Sequence, residues 1–272
     1  MILRKSLITL LLGVVVVACS TNPFTGKQTL ALVPNSQILP MAFQQYDQFL
    51  SENKVVKGTA DANMVKSVGQ KMAAAAERYL NANGYAGYLT DYRWEYNLIE
   101  SKDVNAWCMP GGKIVVYTGI LPVTKTEAGL AAVMGHEVAH ALANHGQQRM
   151  SAAQLQQLGA VAGNVALANN PENQQIFNTA YGLGSNLGVM LPFSRSHETE
   201  ADHIGLILMA IAGYEPMAAA QLWERMQAQS QGAPPEFLST HPASTTRIQN
   251  IKGWAASAKA EARKFGVTTF KN

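Results

Sequence analysis

The sequence predicts an α+β fold that is mainly helical, with a small antiparallel or mixed sheet beside one histidine-bearing helix. Three observations support this prediction. Apolar residues recur at helical spacing through most of the chain from residue 37 onwards. Two short stretches, 92–101 and 112–121, are rich in β-branched and aromatic residues, as strands are. Both precede the stretch AAVMGHEVAHALANHG (131–146), which holds three of the six histidines in the chain.

Residues 1–18 have the features of a signal peptide. Arg4 and Lys5 precede an uncharged apolar run that is short for a membrane span. The run ends in VVAC, which is typical of a bacterial lipoprotein signal with cleavage before Cys19 and a lipid on that cysteine. An ordinary secretory signal is the alternative. Ser20 resembles the sorting residue of outer-membrane lipoproteins, so we expect a lipid-anchored protein of the bacterial envelope, on the outer membrane and facing the periplasm.

The rest of the chain predicts a short tether and a single domain. Residues 19–36 are rich in turn formers and predict a lipidated tether, and residues 37–272 predict one domain. Residues 151–193 hold one charged residue but many Asn and Gln, which favours small-residue helices over a membrane hairpin. The other helices are expected near 37–53, 61–81, 126–149, 195–212, 216–230 and 243–262.

The charge content disfavours a nucleic-acid-binding protein, and the cysteine content disfavours a protein stabilised by disulfides. The chain has 21 basic and 18 acidic residues, with no basic stripe interleaved with aromatics, so nucleic acid is not an expected partner. If Cys19 carries a lipid, Cys108 has no cysteine partner, and the core and a bound metal must stabilise the fold. Cys108 as a nucleophile is an alternative, but no cysteine-protease pattern surrounds it, and packing is its expected role.

The H-E-x-x-H pattern of His136, Glu137 and His140 predicts a zinc site. An α-helix advances about 100° per residue, so the two histidines lie one turn apart on the same face. Two imidazoles suit Zn²⁺, and a catalytic site needs a third protein ligand and an open position for water. His145 is turned away from that face and is not the third ligand. A core helix with incidental histidines is the alternative.

A downstream segment, FSRSHETEADHIGLILMAIAGY (193–214), offers the third ligand. Glu198 and Asp202 are spaced i, i+4, so Glu198 can bind the metal while Asp202 accepts the free N–H of a ligand imidazole. This is the arrangement of a glutamate-type zincin. Helix geometry turns His197 and His203 off the ligand face.

The segments MGHEVAH, SRSHETEADHIG and STHPASTTRI together resemble the zinc metallopeptidases that include HtpX-like and CAAX prenyl proteases, metallopeptidase family forty-eight. Within it, the likeness is to the periplasmic lipoprotein branch involved in envelope quality control. The resemblance implies a zincin-type catalytic domain that holds one Zn²⁺ per chain through His136, His140 and Glu198. It also implies supporting residues around these ligands, namely Asp202, Arg195 and Arg247.

The implied activity is zinc-dependent endopeptidase cleavage of unfolded or misassembled envelope proteins, with Glu137 as the general base. The segment from Asn105 and Ala106 onwards resembles the family's edge strand, which binds an extended substrate by strand addition. An alternative from another class is a zinc-stabilised chaperone or assembly factor for outer-membrane proteins. The expected partners are unfolded proteins, a membrane through Cys19 and the outer-membrane assembly machinery.

His241 stands in an H-P-x-x-x-x-R pattern with Pro242 and Arg247. Three interpretations remain open: a residue of the turn before a helix, a donor to the oxyanion of the reaction, or a ligand that occupies the open zinc position. The oxyanion donor is the preferred prediction, because a permanent fourth ligand would slow every turnover.

Overall fold

A computed structural model describes residues 19–185, 190–229 and 235–272, and the predicted signal peptide lies outside them. The strands are β1 (Cys19–Thr21), β2 (Gln28–Leu30), β3 (Val55–Val56), β4 (Glu95–Ile99), β5 (Ala106–Met109) and β6 (Lys113–Tyr117). The helices are α1 (Asn35–Glu52), α2 (Ala60–Ala82), α3 (Leu121–Thr124), α4 (Glu127–Leu142), α5 (His145–Ala166), α6 (Pro171–Ser185), α7 (Leu191–Ile211), α8 (Met217–Gln229), α9 (Glu236–Thr240) and α10 (Thr245–Lys264).

The chain divides into two compact units. The larger unit comprises 39–143 and 198–272, and the smaller unit comprises 144–197 with the residues before 39. The predicted single domain, 37–272, stays a prediction. Within the described residues, no helix has the length and apolar composition that crossing a membrane requires.

The larger unit contains a four-stranded mixed sheet in the order β3-β4-β6-β5. Strand β4 runs parallel to β6, whereas β3 and β5 run antiparallel to their neighbours. Helix α2 covers β4, and α4 contacts α2, α8 and β5. The predicted α+β fold, mainly helical with a small mixed sheet beside the H-E-x-x-H helix, is therefore confirmed.

Helix α4 is the central element of the larger unit. Thr126 caps its first turn, where its side chain accepts a hydrogen bond from the N–H of Gly129. Every residue from Ala128 to Leu142 is buried, as expected for a helix that packs on all sides. The helix ends at Leu142, earlier than the predicted 149, because Asn144 takes a left-handed conformation with φ 56° and a new helix begins at His145.

A close approach of α4 and α7 positions one of the site histidines. A Cβ placed on Gly205 would lie 3.0 Å from both the carbonyl carbon of Gly135 and the backbone nitrogen of His136. The two helices therefore touch backbone to backbone at this point, where only glycine leaves room. Through this contact, the H-E-x-x-H helix and the helix that carries Glu198 lie at a fixed separation.

The smaller unit pairs a hairpin with helices α5 and α6. Within the predicted tether, β1 and β2 form an antiparallel pair that matches Cys19 with Leu30. The Gln147 side chain donates to the carbonyl of Val33 at 2.7 Å, and Ser151 accepts from the N–H of Leu32 at 3.0 Å. Much of the segment after Cys19 is thus ordered against α5 instead of forming a free linker.

Candidate active site

Four side chains of the larger unit converge on one point: His136, His140, Glu198 and His241. The Nε2 atom of His136 lies 3.1 Å from Nε2 of His140 and 3.1 Å from Nδ1 of His241. The Glu198 carboxylate lies 3.2 Å from Nε2 of both His136 and His140, and 2.9 Å from Nδ1 of His241. One ligand atom from each of the four residues therefore lies within 4.8 Å of the others.

The spacing of these atoms fits zinc. A tetrahedral Zn²⁺ with nitrogen ligands at about 2.0–2.1 Å separates its ligand atoms by roughly 3.3–3.4 Å. The observed separations are close to this value, and the set of imidazole nitrogens and one carboxylate is one that zinc prefers. The residues present fit the metal that the sequence predicts.

Asp202 and Arg247 hold His136 in place from behind. Arg247 donates to both oxygens of Asp202, from Nε at 2.6 Å and from Nη2 at 2.7 Å. The same carboxylate lies 3.0 Å from Nδ1 of His136, which leaves Nε2 of that ring for the metal. All three side chains are buried, so the Asp202 contact fixes both the tautomer and the orientation of the ring.

Without a metal, the charges in the cluster are shared between acid and imidazole. Burial and Arg247 act to lower the pKa of His136, but the carboxylates of Glu198 and Asp202 raise this pKa to about 9. Burial acts to raise the pKa of Glu198, but His136 and the other imidazoles hold it well below its usual range. A proton on His136 thus balances buried negative charge, as a bound zinc cation would.

Glu137 faces the cluster from its own side of α4. Its Oε1 atom is buried and has no hydrogen-bond partner among the described residues. Nε2 of His241 lies 3.4 Å from the same oxygen. Because a buried carboxylate oxygen is costly to leave without a partner, this arrangement fits a site that admits water beside the metal.

Two aromatic residues that sequence reasoning missed line the cluster. The Trp223 ring lies 3.4 Å from the guanidinium carbon of Arg247 and contacts His136 edge-on, with ring centroids 5.7 Å apart. Phe237 lies against His241 with a centroid distance of 4.7 Å. Trp223 stands in an ordinary helical pattern and Phe237 in a helix too short to show one, so the sequence does not distinguish either residue. Their contacts depend on tertiary packing.

The segment predicted to bind substrate lies beside the motif helix. Strand β5 begins at Ala106, contacts α4, and pairs only with β6 among the described strands, so it forms one edge of the sheet. The side-chain oxygen of Asn105 accepts a hydrogen bond from the N–H of Ala106 at 2.8 Å. The backbone carbonyl of Asn105 accepts one from the N–H of Tyr117 at 3.0 Å. Burial and the nearby Glu137 raise the pKa of Cys108 well above its usual value, which disfavours a nucleophilic thiolate.

The remaining histidines and Arg195 lie outside the described cluster. His145 and His197 stack on each other in the smaller unit, with ring centroids 4.0 Å apart. His203 contacts Trp254 edge-on at 5.1 Å. Arg195 is exposed, and its predicted place beside the ligands stays a prediction.

Comparison with known proteins gives the site its context. The model of peptidase family M48 matches residues 59–255, which include every residue of the cluster. The chain belongs to this family. The prediction of a zinc metalloendopeptidase is thereby confirmed at the level of the family, and so is the prediction of zinc as the cofactor.

Three relatives illustrate the range of similarity. The mitochondrial metalloendopeptidase OMA1 of Schizosaccharomyces pombe is 41% identical over 64% of this chain and 50% of its own length. The human mitochondrial metalloendopeptidase OMA1 is 27% identical over 85% of this chain and 44% of its own. The beta-barrel assembly-enhancing protease of Escherichia coli is 29% identical over 60% of this chain and 34% of its own. The chain thus spans half or less of the length of these relatives.

The comparison corrects the predicted location. The sequence predicts a bacterial outer membrane, but three relatives with 34% to 41% identity are mitochondrial metalloendopeptidases, which contradicts that prediction. The family is confirmed, whereas its periplasmic lipoprotein branch is not supported. The outer-membrane prediction rests on Ser20 beside Cys19, and one residue next to a cysteine specifies little about location.

Proposed function

We propose that the protein is a zinc endopeptidase that cleaves unfolded or misassembled proteins. The observation that carries this proposal is the convergence of His136, His140 and Glu198 on one point, with the buried Glu137 carboxylate beside it. A purely structural zinc site needs no general base, so the presence of Glu137 favours catalysis.

Each residue of the cluster has a separate role in the proposed mechanism. His136, His140 and Glu198 hold the metal, and Asp202 with Arg247 keeps His136 oriented. When bound, zinc polarises the scissile carbonyl and lowers the pKa of water in the site. Glu137 takes the proton of the attacking water at Oε1 and passes it to the leaving amine as the peptide bond breaks.

The position of His241 supports a different role from the one that the sequence favoured. Its Nδ1 atom lies among the ligand atoms, 3.1 Å from Nε2 of His136, and its Nε2 lies toward Glu137. In this arrangement His241 would be a fourth protein ligand of a bound zinc, beside His136, His140 and Glu198. We therefore propose that His241 closes the site at rest and withdraws when substrate enters.

Strand β5 supports the choice of unfolded segments as substrates. As an edge strand beside α4, it offers backbone groups to an extended chain near the cluster. Asn105 and Ala106 stand at the start of this edge, where we propose that they bind substrate backbone. Compact proteins expose few segments that can pair in this way, so the enzyme prefers unfolded substrates to folded ones.

We also propose that a lipid on Cys19 attaches the protein to a membrane. Cys19 is exposed at the start of β1, where a lipid would not disturb the fold. Membrane attachment and the name of the E. coli relative, a beta-barrel assembly-enhancing protease, support misassembled membrane proteins as substrates and their assembly machinery as a partner. A zinc-stabilised chaperone with secondary proteolysis is the alternative that this name leaves open.

The experiment compares one substrate protein in two states. A disulfide-bonded protein in its native form and the same protein after reduction and alkylation are incubated with the purified enzyme, with and without a chelator. We expect cleavage of the unfolded form at least about tenfold faster, loss of cleavage with the chelator, and recovery with one equivalent of zinc. Equal cleavage of both forms, or cleavage that the chelator does not affect, would overturn the proposal.

A further inference from the structure

The sheet edge opposite to β5 carries a cavity that the proposed mechanism does not use. This cavity, of about 430 Å³, lies between the edge of β4 and the exposed face of α2. Trp94 and Tyr96 line it from the sheet, Lys66 lines it from the helix, and Lys57 stands in the connection between β3 and α2. All of these residues belong to the larger unit, so the cavity does not depend on how the two units are arranged.

The backbone of β4 is open toward this cavity. Arg93 and Glu95 donate their N–H groups toward β6, to the carbonyls of Gly111 at 2.8 Å and Gly112 at 3.0 Å. Because successive residues of a strand present their backbone groups to opposite sides, Trp94 and Tyr96 present theirs to the other side. On that side β3 pairs only with Leu98 and Ile99.

Strand β3 is too short to cover this edge because its chain turns away into a helix. After Val56 the backbone passes through Gly58, at φ 73°, to the cap of α2 at Thr59. The space that a longer β3 would fill is the cavity. It therefore offers an extended peptide both a strand edge to pair with and a helix to lie against, which is a common way of binding peptides.

The walls of the cavity combine aromatic surface with positive charge. The rings of Trp94 and Tyr96 stack with centroids 6.4 Å apart. Lys57 and Lys66 are exposed and have no ion-pair partner among the described residues. The one acidic residue in the lining, Glu95, accepts from Lys113 at 2.9 Å, so its charge is already balanced.

We propose that this cavity binds an extended peptide segment that carries acidic side chains. The peptide backbone pairs with Trp94 and Tyr96 as an added strand, its apolar side chains contact the two rings, and its carboxylates pair with Lys57 and Lys66. The site is separate from the metal cluster and needs neither zinc nor cleavage. With this site the protein binds polypeptide segments at two places, at β5 and at the opposite edge of the sheet.

The test measures binding in the full chain with Glu137→Gln, so that no probe is cleaved. The probe is a fluorescein-labelled octapeptide of alternating Glu and Val with an amidated C-terminus, followed by fluorescence anisotropy. We expect Lys57→Glu/Lys66→Glu to weaken binding at least about tenfold, and added salt to weaken binding to the parent protein. The matched control is Lys102→Glu, which reverses the charge of another exposed lysine outside the cavity lining and should bind as the parent does.

A second variant tests the cavity by filling it. Asn63→Trp places a large side chain on the exposed face of α2 within the lining and should weaken binding as the double variant does, while circular dichroism and zinc content stay unchanged. The proposal is overturned if the double variant binds as tightly as Lys102→Glu, or if a Lys-Val octapeptide binds equally well. It is also overturned if only a peptide with a free C-terminus binds, or if zinc removal abolishes binding while circular dichroism shows that the fold is intact.

Discussion

Asp202 acts on the metal through another residue. Its carboxylate receives two hydrogen bonds from Arg247 and lies 3.0 Å from Nδ1 of His136, so it holds a ligand without itself facing the zinc. Burial acts to raise its pKa, but Arg247 and His136 keep that pKa below the usual value, so Asp202 is ionised when it orients the imidazole. The site thus depends on a buried chain of contacts as well as on its ligands.

Replacement of Asp202 by Asn should weaken zinc binding while leaving the general base intact. Removing the carboxylate charge loosens the orientation of His136, and loss of such a contact typically costs about 10- to 100-fold in metal affinity. Competition with a chromophoric chelator measures this affinity, and activity should return at saturating zinc. An unchanged zinc affinity would show that Asp202 does not position the ligand.

His241→Ala tests which role this histidine has. Because Nδ1 of His241 lies among the ligand atoms, we expect the variant to raise kcat/KM by at least about threefold on an unfolded substrate, with zinc still bound. A fall of the same size with normal zinc content would instead identify an oxyanion donor. A change smaller than about threefold in either direction would remove His241 from the site.

At the scale of elements, the crossing of α4 and α7 sets the distance between the first two ligands and Glu198. Gly205→Ala places a methyl group 3.0 Å from the His136 backbone nitrogen, so the helices must separate by a few tenths of an ångström. We expect zinc affinity to fall at least about tenfold in a folded protein. The control is Gly253→Ala in α10, where nothing lies within 4 Å and zinc affinity should not change. Equal zinc affinities would contradict this account of the crossing.

Periodicity predicted most helices because each has an apolar face that must be buried. It failed where local backbone geometry ended a helix, as at Asn144, whose positive φ interrupts a pattern that continues in α5. The short helix α9 was missed because five residues are too few to show a period. Strand β5 was expected only from the resemblance, since its sequence AWCM has no alternation of polar residues.

The spacing of residues within one helix predicted more of the site than any longer-range feature. His136 and His140 had to face the same way, and Glu198 and Asp202 likewise, because helix geometry fixes both pairs. The contact of Trp223 with Arg247 joins two different helices and could not be read from spacing. The position of His241 depends on α9, where the N–H of Phe237 donates to the carbonyl of Val104 at 3.1 Å.

At the scale of the whole molecule, the proposed membrane attachment depends on Cys19, which belongs to the smaller unit. If Cys19 carries the lipid, Cys19→Ser should move the protein from the membrane fraction to the soluble fraction or leave it unprocessed with residues 1–18 attached, because one lipid-bearing residue supplies the attachment. Cys108→Ser is the control, since it removes the other cysteine and should leave the distribution unchanged. Membrane association of a Cys19→Ser protein from which residues 1–18 have been removed would contradict the proposed anchor.

The central claim is that zinc binding and proton transfer are performed by different residues of one site. The most direct test measures zinc content and cleavage of an unfolded substrate for Glu137→Gln and Glu198→Gln, with Glu200→Gln as the control on the same helix as Glu198. We predict that Glu137→Gln keeps one zinc per chain and loses at least about 10²-fold in kcat, the usual scale for a general base, whereas Glu198→Gln loses both and Glu200→Gln loses neither. Cleavage by Glu137→Gln at the wild-type rate would contradict the account.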